Sequence, residues 1–563
     1  MSRRRAAIWL AALVVGLGIL PASGASAARE SIKADDLKEW LSYIASDELQ
    51  GRATYSAGLD LAAAYIGNHL RAWGVKPAGD DNSFLQTVRV LGVKTTSRSS
   101  VTVTVAGETR TYQDGAGVTF PKNSGVSRAL TVRRVEFAGY GVNVPAVNHL
   151  DFHGRNVRDS AVIWLGTDGP KTVDSQYRRL LNGRTRYATE QLKALATIGP
   201  EAARRGDTGT TEPDGVAQTP LPEGREPAPV APDFTTTQRL DNAIAPRITA
   251  SDGFLLFLFS KTPVGYEELK RRAEAREPLP RFTLEDVTIT FKVDATYDVV
   301  RTQLTQNVIG IVEGSDSRLK NTYVAAGAHY DHVGSADAGP GGGAPGHPPG
   351  FVTPGATDDR VWNGADDDGS GTVALMALAR AFVNGPRPKR SLLFVWHAGE
   401  ERGLLGSRYF ADHPTIPLEA IVAQLNIDMI GRNRSDKSSE EDTVYLVGSD
   451  RISSELHQIS REANRELPRP LTLDYEMNDP ADLEQVYYRS DHYSYAVKGI
   501  PIIFFTTGLH ADYHANTDEV SKIEFGKLTR VAQLVYETAA RLANLDHPPA
   551  RDNRGPRAGK DTR

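Results

Sequence analysis

Cysteine is missing from all 563 residues of this chain. Its absence excludes disulfide bridges, a cysteine nucleophile and a lipid tether through cysteine, so stability must come from core packing, bound metal or both. A strong charge surplus is missing too. The 65 basic and 70 acidic residues leave a net charge of -5, which argues against a general nucleic-acid binder, since that function needs a concentrated basic face. Nor is there a hydrophobic run of the ~20 residues that a membrane-spanning helix wants. The stretch from Ala6 to Leu20 comes nearest. Arg3-Arg4-Arg5 before it, with Pro21 and Ala25-Ser26-Ala27 after it, form the pattern of a secretory leader removed after about Ala27. The expected destination is secreted or periplasmic, with no stable membrane anchor once the leader is gone.

What is present divides into stretches of different character. Leu37, Trp40, Leu41 and Ile44 recur at helical spacing, as do Ala62, Tyr65, Ile66, His69 and Leu70, so residues 31–75 are expected to be helical around a turn at Ser46-Asp-Glu-Leu-Gln-Gly-Arg52. From about 129 to 285, short apolar runs such as Ala161–Leu165 and Phe254–Phe259 are separated by Gly and Pro, which predicts a small β-rich unit with few helices. Five prolines between 219 and 232 predict an exposed loop, and the polar, basic tail from His547 predicts disorder. The Gly- and Pro-dominated stretch Ala338–Ala356 reads equally as a surface loop or as a flap.

After Asn307 the pattern changes. Asn307–Val312, Tyr323–Ala328, Ser391–Trp396, Val444–Val447 and Pro501–Phe505 are continuous apolar strands of the kind buried on both faces, and helical segments at Thr372–Val383 and Ile452–Glu466 alternate with them. The expected fold class is α/β, a mostly parallel mixed sheet sandwiched by helices, with the β-rich unit inserted.

Polar residues cluster at the ends of these strands. His329 closes one strand, where a parallel sheet presents groups to a crevice, and Asp331 stands two residues on, placed to accept the ring N–H of His329. Asp366-Asp367-Asp368 precede Gly-Ser-Gly and a helix. Three adjacent carboxylates repel, so either a cation or the helix N-terminus has to relieve them. Glu400-Glu401 follow the strand ending at Trp396; their side chains point different ways, so one can bind metal while the other acts as a base. Asp428 lies within the apolar Leu425–Ile430, where a carboxylate needs a cation or several donors. Tyr513 and His514 follow the last strand, with Tyr513 able to donate to a developing oxyanion. Imidazoles and carboxylates without thiolate suit a pair of zinc-like ions and metal-assisted hydrolysis.

In their order and spacing these segments resemble the secreted di-zinc aminopeptidases, a family of zinc exopeptidases related to glutamate carboxypeptidases, transferrin-receptor-like ectodomains and glutaminyl cyclases. The resemblance implies two zinc ions: His329 and Asp428 on one, Glu401 and His514 on the other, and Asp367 between them, because the family's bridging carboxylate lies three residues before the serine of its Asp-x-x-Ser-Gly motif. It further implies Glu400 as general base, Tyr513 as a transition-state donor, Asp331 as the partner of His329, and supporting places for Asp368 and for Asp491 in Arg489-Ser-Asp-His-Tyr493. The implied division is a leader at 1–27, an amino-terminal part of the catalytic domain at 28–128, a protease-associated-like insert at 129–285, the catalytic peptidase domain at 286–546 and a tail at 547–563. Peptides or proteins are the implied substrates. The alternatives are a carboxypeptidase, a glutaminyl-cyclase-like enzyme, against which His329 speaks, and a non-catalytic binding ectodomain, against which the complete ligand set speaks.

Overall fold

In a computed structural model of the chain, residues 23–201, 231–337 and 348–553 are described. The leader up to residue 22, most of the proline-rich stretch, the first part of the Gly- and Pro-rich stretch and the last ten residues lie outside them.

The larger of two ten-stranded sheets is built from β1 (Leu85–Ser97), β2 (Phe234–Thr236), β3 (Ala295–Val312), β4 (Tyr323–His329), β5 (Ser391–His397), β6 (Ile421–Ile427), β7 (Thr443–Val447), β8 (Thr472–Asp474) and β9 (Ile502–Thr506), in the order β2-β1-β3-β5-β4-β6-β9-β7-β8, with Lys76–Pro77 paired to β3. Its centre, β5-β4-β6-β9, is parallel. The flanking pairs β3-β5 and β7-β9 are antiparallel. Successive residues of β5 explain why it reads as an unbroken apolar run: Leu392, Phe394 and Trp396 enter one core while Leu393 and Val395 enter another on the opposite face. The first core is covered by α1 (Ser23–Glu30), α2 (Ala34–Ile44), α3 (Ala57–Trp73), α4 (Gly371–Asn384) and α7 (Phe525–Asn544); α5 (Leu405–Asp412) and the segment 486–495 cover the second. α6 (Ser454–Arg465) packs beside α7.

The second sheet runs, strand by strand, through Phe282–Leu284, Val135–Phe137, Ala161–Ile163, Ala196–Pro200, Arg247–Ala250, Gly117–Thr119, Glu108–Asp114, Ser100–Val105, Val287–Val293 and Arg128–Val132. It reaches beyond the expected 129–285 on both sides, because the hairpin Ser100–Asp114 pairs with Val287–Val293. The antiparallel ribbon of β1 and β3 connects the two sheets. Phe254–Phe259, expected as one of the unit's apolar runs, is instead helical over Asp252–Leu258. Ser251 caps it by accepting from Phe254 N, and Phe254, Leu255, Phe257 and Leu258 are buried while Leu256 is exposed, a helical period that a six-residue apolar run conceals.

The expectation of disorder from His547 also changes over its first residues. His547 pairs with Glu455, Ser454 N donates to Asp552 and Asn553 N to the Ile452 carbonyl, which tie residues 547–553 to the start of α6. Among the described residues no helix is long and apolar enough to cross a membrane.

Candidate metal centre

Four parallel strands end at one edge of the larger sheet, and the polar residues that follow them meet there. β4 ends on His329; β5 leads through Ala398-Gly399 to Glu400 and Glu401; β6 is followed by Asp428; β9 leads into the loop carrying His510, Tyr513 and His514. Asp367 completes the set from the turn before α4. His329 Nε2 lies 3.2 Å from Asp367 Oδ1 and 3.7 Å from Asp428 Oδ1. The other oxygen of Asp367 faces His514 Nε2 at 3.2 Å, and Glu401 Oε2 lies 2.9 Å from that same nitrogen. One carboxylate thus looks toward two separate groups of ligand-type atoms.

His332, which the sequence reading passed over, joins the second group: its Nδ1 is 3.0 Å from Glu401 Oε1 and 3.9 Å from Asp367 Oδ2. The potential ligand atoms of His329, Asp367 and Asp428, and likewise those of His332, Asp367 and Glu401, lie within 4.8 Å of one another. The signal was available in His329-Tyr-Asp-His332, a second imidazole three residues after the first.

The electrostatics call for a cation. Burial drives the Glu400 carboxyl well above the ordinary carboxylate range, with Glu401, Asp428 and Asp491 adding to the rise. Burial would also raise Asp367, but hydrogen bonds from His329 and His514 hold it well below its usual value. Glu401 behaves alike: burial and Asp367 push it up, yet His332 and His514 bring it down to about 2. The imidazoles carry the complementary strain, for His514 is lifted to about 10 by Asp367 and Glu401 against the effect of burial. Left alone, the carboxylates would demand protons on the rings. A divalent cation supplies that positive charge while leaving imidazole nitrogens free as donors of electron pairs. Among the described residues the buried His332 Nε2 has no hydrogen-bond partner, and the buried Asp367 Oδ2 faces only ring nitrogens, those of His514 at 3.2 Å and His332 at 3.9 Å. The donor set therefore fits metal of the nitrogen- and oxygen-liking kind.

Surrounding groups fix these side chains. Ser490 Oγ donates to Asp428 Oδ2 at 2.6 Å. Asp368 accepts from His329 N, Gly371 N and Met429 N, joining the ends of β4 and β6 to the start of α4. Burial nonetheless pushes its carboxyl well above normal. Asp518, another residue not singled out from sequence, accepts from the backbone N–H groups of Asp366 and Asp367.

Asp331 departs from its expected contact. His329 Nδ1 donates to the Asp331 main-chain carbonyl at 3.0 Å, while the carboxylate Oδ1 stands at 3.7 Å. That carboxylate is already engaged by Thr54 Oγ1 and by Glu400 N, so it positions the Glu400 loop. Asp491, buried, lies 3.5 Å from His397 Nδ1 and does not reach the ligand atoms through any hydrogen bond; burial lifts its carboxyl to about 7.

His329, Asp367, Asp428 and Glu400 open onto a cavity whose other walls include Met429, Met477, Val486, Phe504, Leu509, Arg489 and Tyr513. Tyr513 stacks on His514 with ring centres 4.0 Å apart, and its hydroxyl accepts from Arg489 at 3.1 Å. The Tyr513 hydroxyl is pushed up, chiefly by burial and then by Asp367 and Glu401, so it stays protonated and able to donate.

Residues 307–539 match the family model of Peptidase family M28. Leucine aminopeptidase 2 of Trichophyton equinum is 33% identical over 152 residues, covering 26% of this chain and 25% of that protein. A probable leucine aminopeptidase of Trichophyton verrucosum (strain HKI 0517) is 27% identical over 247 residues, 42% of this chain and 57% of the relative. The matched part of the chain thus spans between about a quarter and a little over half of the length of these curated relatives. Among solved structures, the aminopeptidase from Aneurinibacillus sp. strain AM-1 aligns over 95% of this chain and 99% of its own at 17% identity and a TM-score of 0.43. A zinc aminopeptidase from Bacillus subtilis aligns over 93% and 99% at 18% identity and a TM-score of 0.41. The stretch that carries the whole candidate centre, residues 307–539, is thus the part of the chain that is similar to Peptidase family M28.

Proposed function

We propose that the protein is a metal-dependent aminopeptidase that releases amino-terminal residues from peptides, using two zinc ions and Glu400 as the base. The observation that carries this reading is the placement of Asp367, one oxygen 3.2 Å from His329 and the other 3.2 Å from His514. In this reading His329 and Asp428 would hold one ion and Glu401 and His514 the other, Asp367 would serve both, and His332 fixes Glu401 from its second oxygen. When bound, such a pair polarises the scissile carbonyl and acidifies the attacking water. Glu400, held by the bond from its own N–H to Asp331, takes the proton from that water and returns it to the leaving amine. Tyr513, kept protonated by burial and the nearby carboxylates and oriented by Arg489, donates to the oxygen that becomes negative. The apolar walls at Met429, Met477, Val486, Phe504 and Leu509 suit an apolar amino-terminal side chain, as do the leucine aminopeptidase names of the relatives.

We read the second sheet as the expected protease-associated insert, from its position within the catalytic chain, and the protein as exported, from the leader pattern of its first residues. The test uses leucine p-nitroanilide and its N-acetylated form, with and without a chelator. The free amine is expected to be cleaved only with metal present, and Glu400→Gln to lower kcat by ~10²–10⁴, the usual contribution of a positioned base. Equal cleavage of the acetylated substrate would remove the aminopeptidase assignment.

A further inference from the structure

Beside the metal-centre cavity lies a larger groove of about 980 Å³, and Arg489 lines both. One wall comes from the second-sheet unit, with Arg179, Arg186, Glu190 and Arg247; the other comes from α5 and the segment 484–498, with Arg408, Asp412, Glu484 and Lys498. Six cations therefore face three carboxylates. Each carboxylate is already engaged. Asp412 pairs with Lys498 at 2.5 Å, Glu484 holds Arg489 at 2.9 Å and Arg179 at 3.3 Å, and Glu190 accepts from the Tyr493 hydroxyl. Arg186, Arg247 and Arg408 are left with no carboxylate in ion-pair range among the described residues.

Arg247 is exposed, but Arg186 and Arg408 are not ordinary solvated surface arginines. Arg186 lies flat on Tyr488, its guanidinium carbon 3.7 Å from the ring centre, and its Nε is buried without a hydrogen-bond partner. Arg408 is half-buried and projects from the helix that begins four residues after Glu401. Stacked, partly desolvated guanidinium groups with unused donors are built to bind a carboxylate or another oxyanion, because a planar fork meets two oxygens at once and desolvation strengthens the attraction.

We infer that this groove binds the anionic downstream part of an extended peptide, either acidic side chains or the terminal carboxylate of a short substrate, and so gives the enzyme a preference for peptides negatively charged beyond the scissile bond. The inference rests on the aminopeptidase reading. Because Arg489 lines both, a chain whose amino-terminal residue sits in the metal-centre cavity can continue past it into the groove. Its volume, at the upper end of ordinary ligand sites, accommodates several residues.

The test compares kcat/KM of the full-length, zinc-loaded protein on Leu-Ala-Glu-Glu and on Leu-Ala-Gln-Gln amide. The acidic peptide is expected to be favoured roughly tenfold, about what one charge-assisted hydrogen bond supplies. The advantage should shrink as salt rises from about 0.05 to about 0.5 M, since screening weakens attraction at a solvent-open groove. In Arg186→Gln and in Arg247→Gln, the latter at an exposed position that tolerates the change, the acidic-to-neutral ratio should fall toward one. Equal rates on the two peptides in the unaltered protein, or an acidic preference that survives both substitutions, would overturn the inference. Titration of N-acetylated Leu-Ala-Glu-Glu into the Glu400→Gln protein separates this outcome from failure of the catalytic reading. Salt-sensitive binding that needs Arg186 upholds the groove whether or not leucine p-nitroanilide is hydrolysed, and no binding counts against it.

Discussion

Ser490 illustrates how much of the centre depends on residues that touch no metal. Its hydroxyl donates to Asp428 at 2.6 Å and itself accepts from Asn426 Nδ2 at 2.8 Å, which leaves the outer oxygen of Asp428 turned toward His329. Ser490→Ala is expected to weaken retention of the divalent ion about 10–100-fold, the usual cost of losing a group that orients a ligand, while far-ultraviolet circular dichroism stays unchanged. Competition with a chelating indicator measures it, and an unchanged affinity would show that Asp428 needs no such support. Most of the ligand-type residues were legible because they follow an apolar strand, where a charged side chain has few structural reasons to be, and Asp367 because three adjacent carboxylates precede Gly-Ser-Gly and a helix. His332 was passed over although it follows β4 by three residues, and Asp518 was not legible, since it acquires its place only when its loop meets the turn before α4. The Asp331 carboxylate was legible as important, but its partners, Thr54 and Glu400 N, come from segments 277 and 69 residues away, and nothing local announces them.

Among the elements, the turn Ser46–Arg52 shows how a motif recognisable by resemblance acquires a physical reason only from the fold. Arg52 is fully buried and donates to the carbonyls of Tyr330, Ile44, Asn363 and Gly364, pinning the loop after β4 and the turn before α4 to the end of α2. Gly51 beside it has φ +67° and runs so close to Gly334 that a Cβ would fall 2.2 Å from its carbonyl oxygen. Arg52→Met leaves four buried acceptors without their donor and should lower the unfolding free energy by about 3–5 kcal/mol in denaturant titration. Arg52→Lys should recover only part, because an ammonium cannot span the same fork.

Lys527 on α7 gives a pH test. It is buried and donates to Asn433 Oδ1 and the Glu440 carbonyl, and burial lowers its ammonium to about 8. The folded state therefore loses this proton before the unfolded state does, and stability should rise as pH climbs from about 8 toward the ordinary lysine value, by up to about 3 kcal/mol. Lys527→Met removes that rise, so the stability gap between the two proteins should widen in favour of the lysine form between pH 7 and 10; a constant gap would contradict the assignment. The central strands β4, β5, β7 and β9 and the end of β3 were legible as continuous apolar runs, whereas β1, β2 and β8 were not. The boundaries of the second unit and the helix at Asp252–Leu258 were not, because pairing between Ser100–Val105 and Val287–Val293 is a long-range choice and a short apolar run fits strand and helix equally.

For the whole molecule, the same excess of buried carboxylate that argues for metal also links metal to stability. With no disulfide, the junction of β4, β5, β6, β9 and the turn before α4 is held by packing and by groups that gather around Asp367. An ion that binds only the folded chain adds RT ln(1 + [L]/Kd), about 2.7 kcal/mol at a hundredfold excess over Kd. For a folding unit of several hundred residues that corresponds to roughly 2–4 °C in Tm. Excess chelator should therefore lower the main calorimetric transition by this amount and added zinc should restore it. In Asp367→Asn, where the shared carboxylate is gone, the transition should already be low or unchanged in the apo form and should respond weakly to either addition. The comparison has a definite opposite outcome: if chelator removes all bound metal by elemental analysis and the transition does not move, the centre adds nothing to the fold, and the buried carboxylates must be stabilised by protonation instead. That alternative would itself be visible as a rise in apo stability on acidification, since Glu400 and Asp368, held well above the ordinary carboxylate range by burial, favour the protonated state in the folded chain.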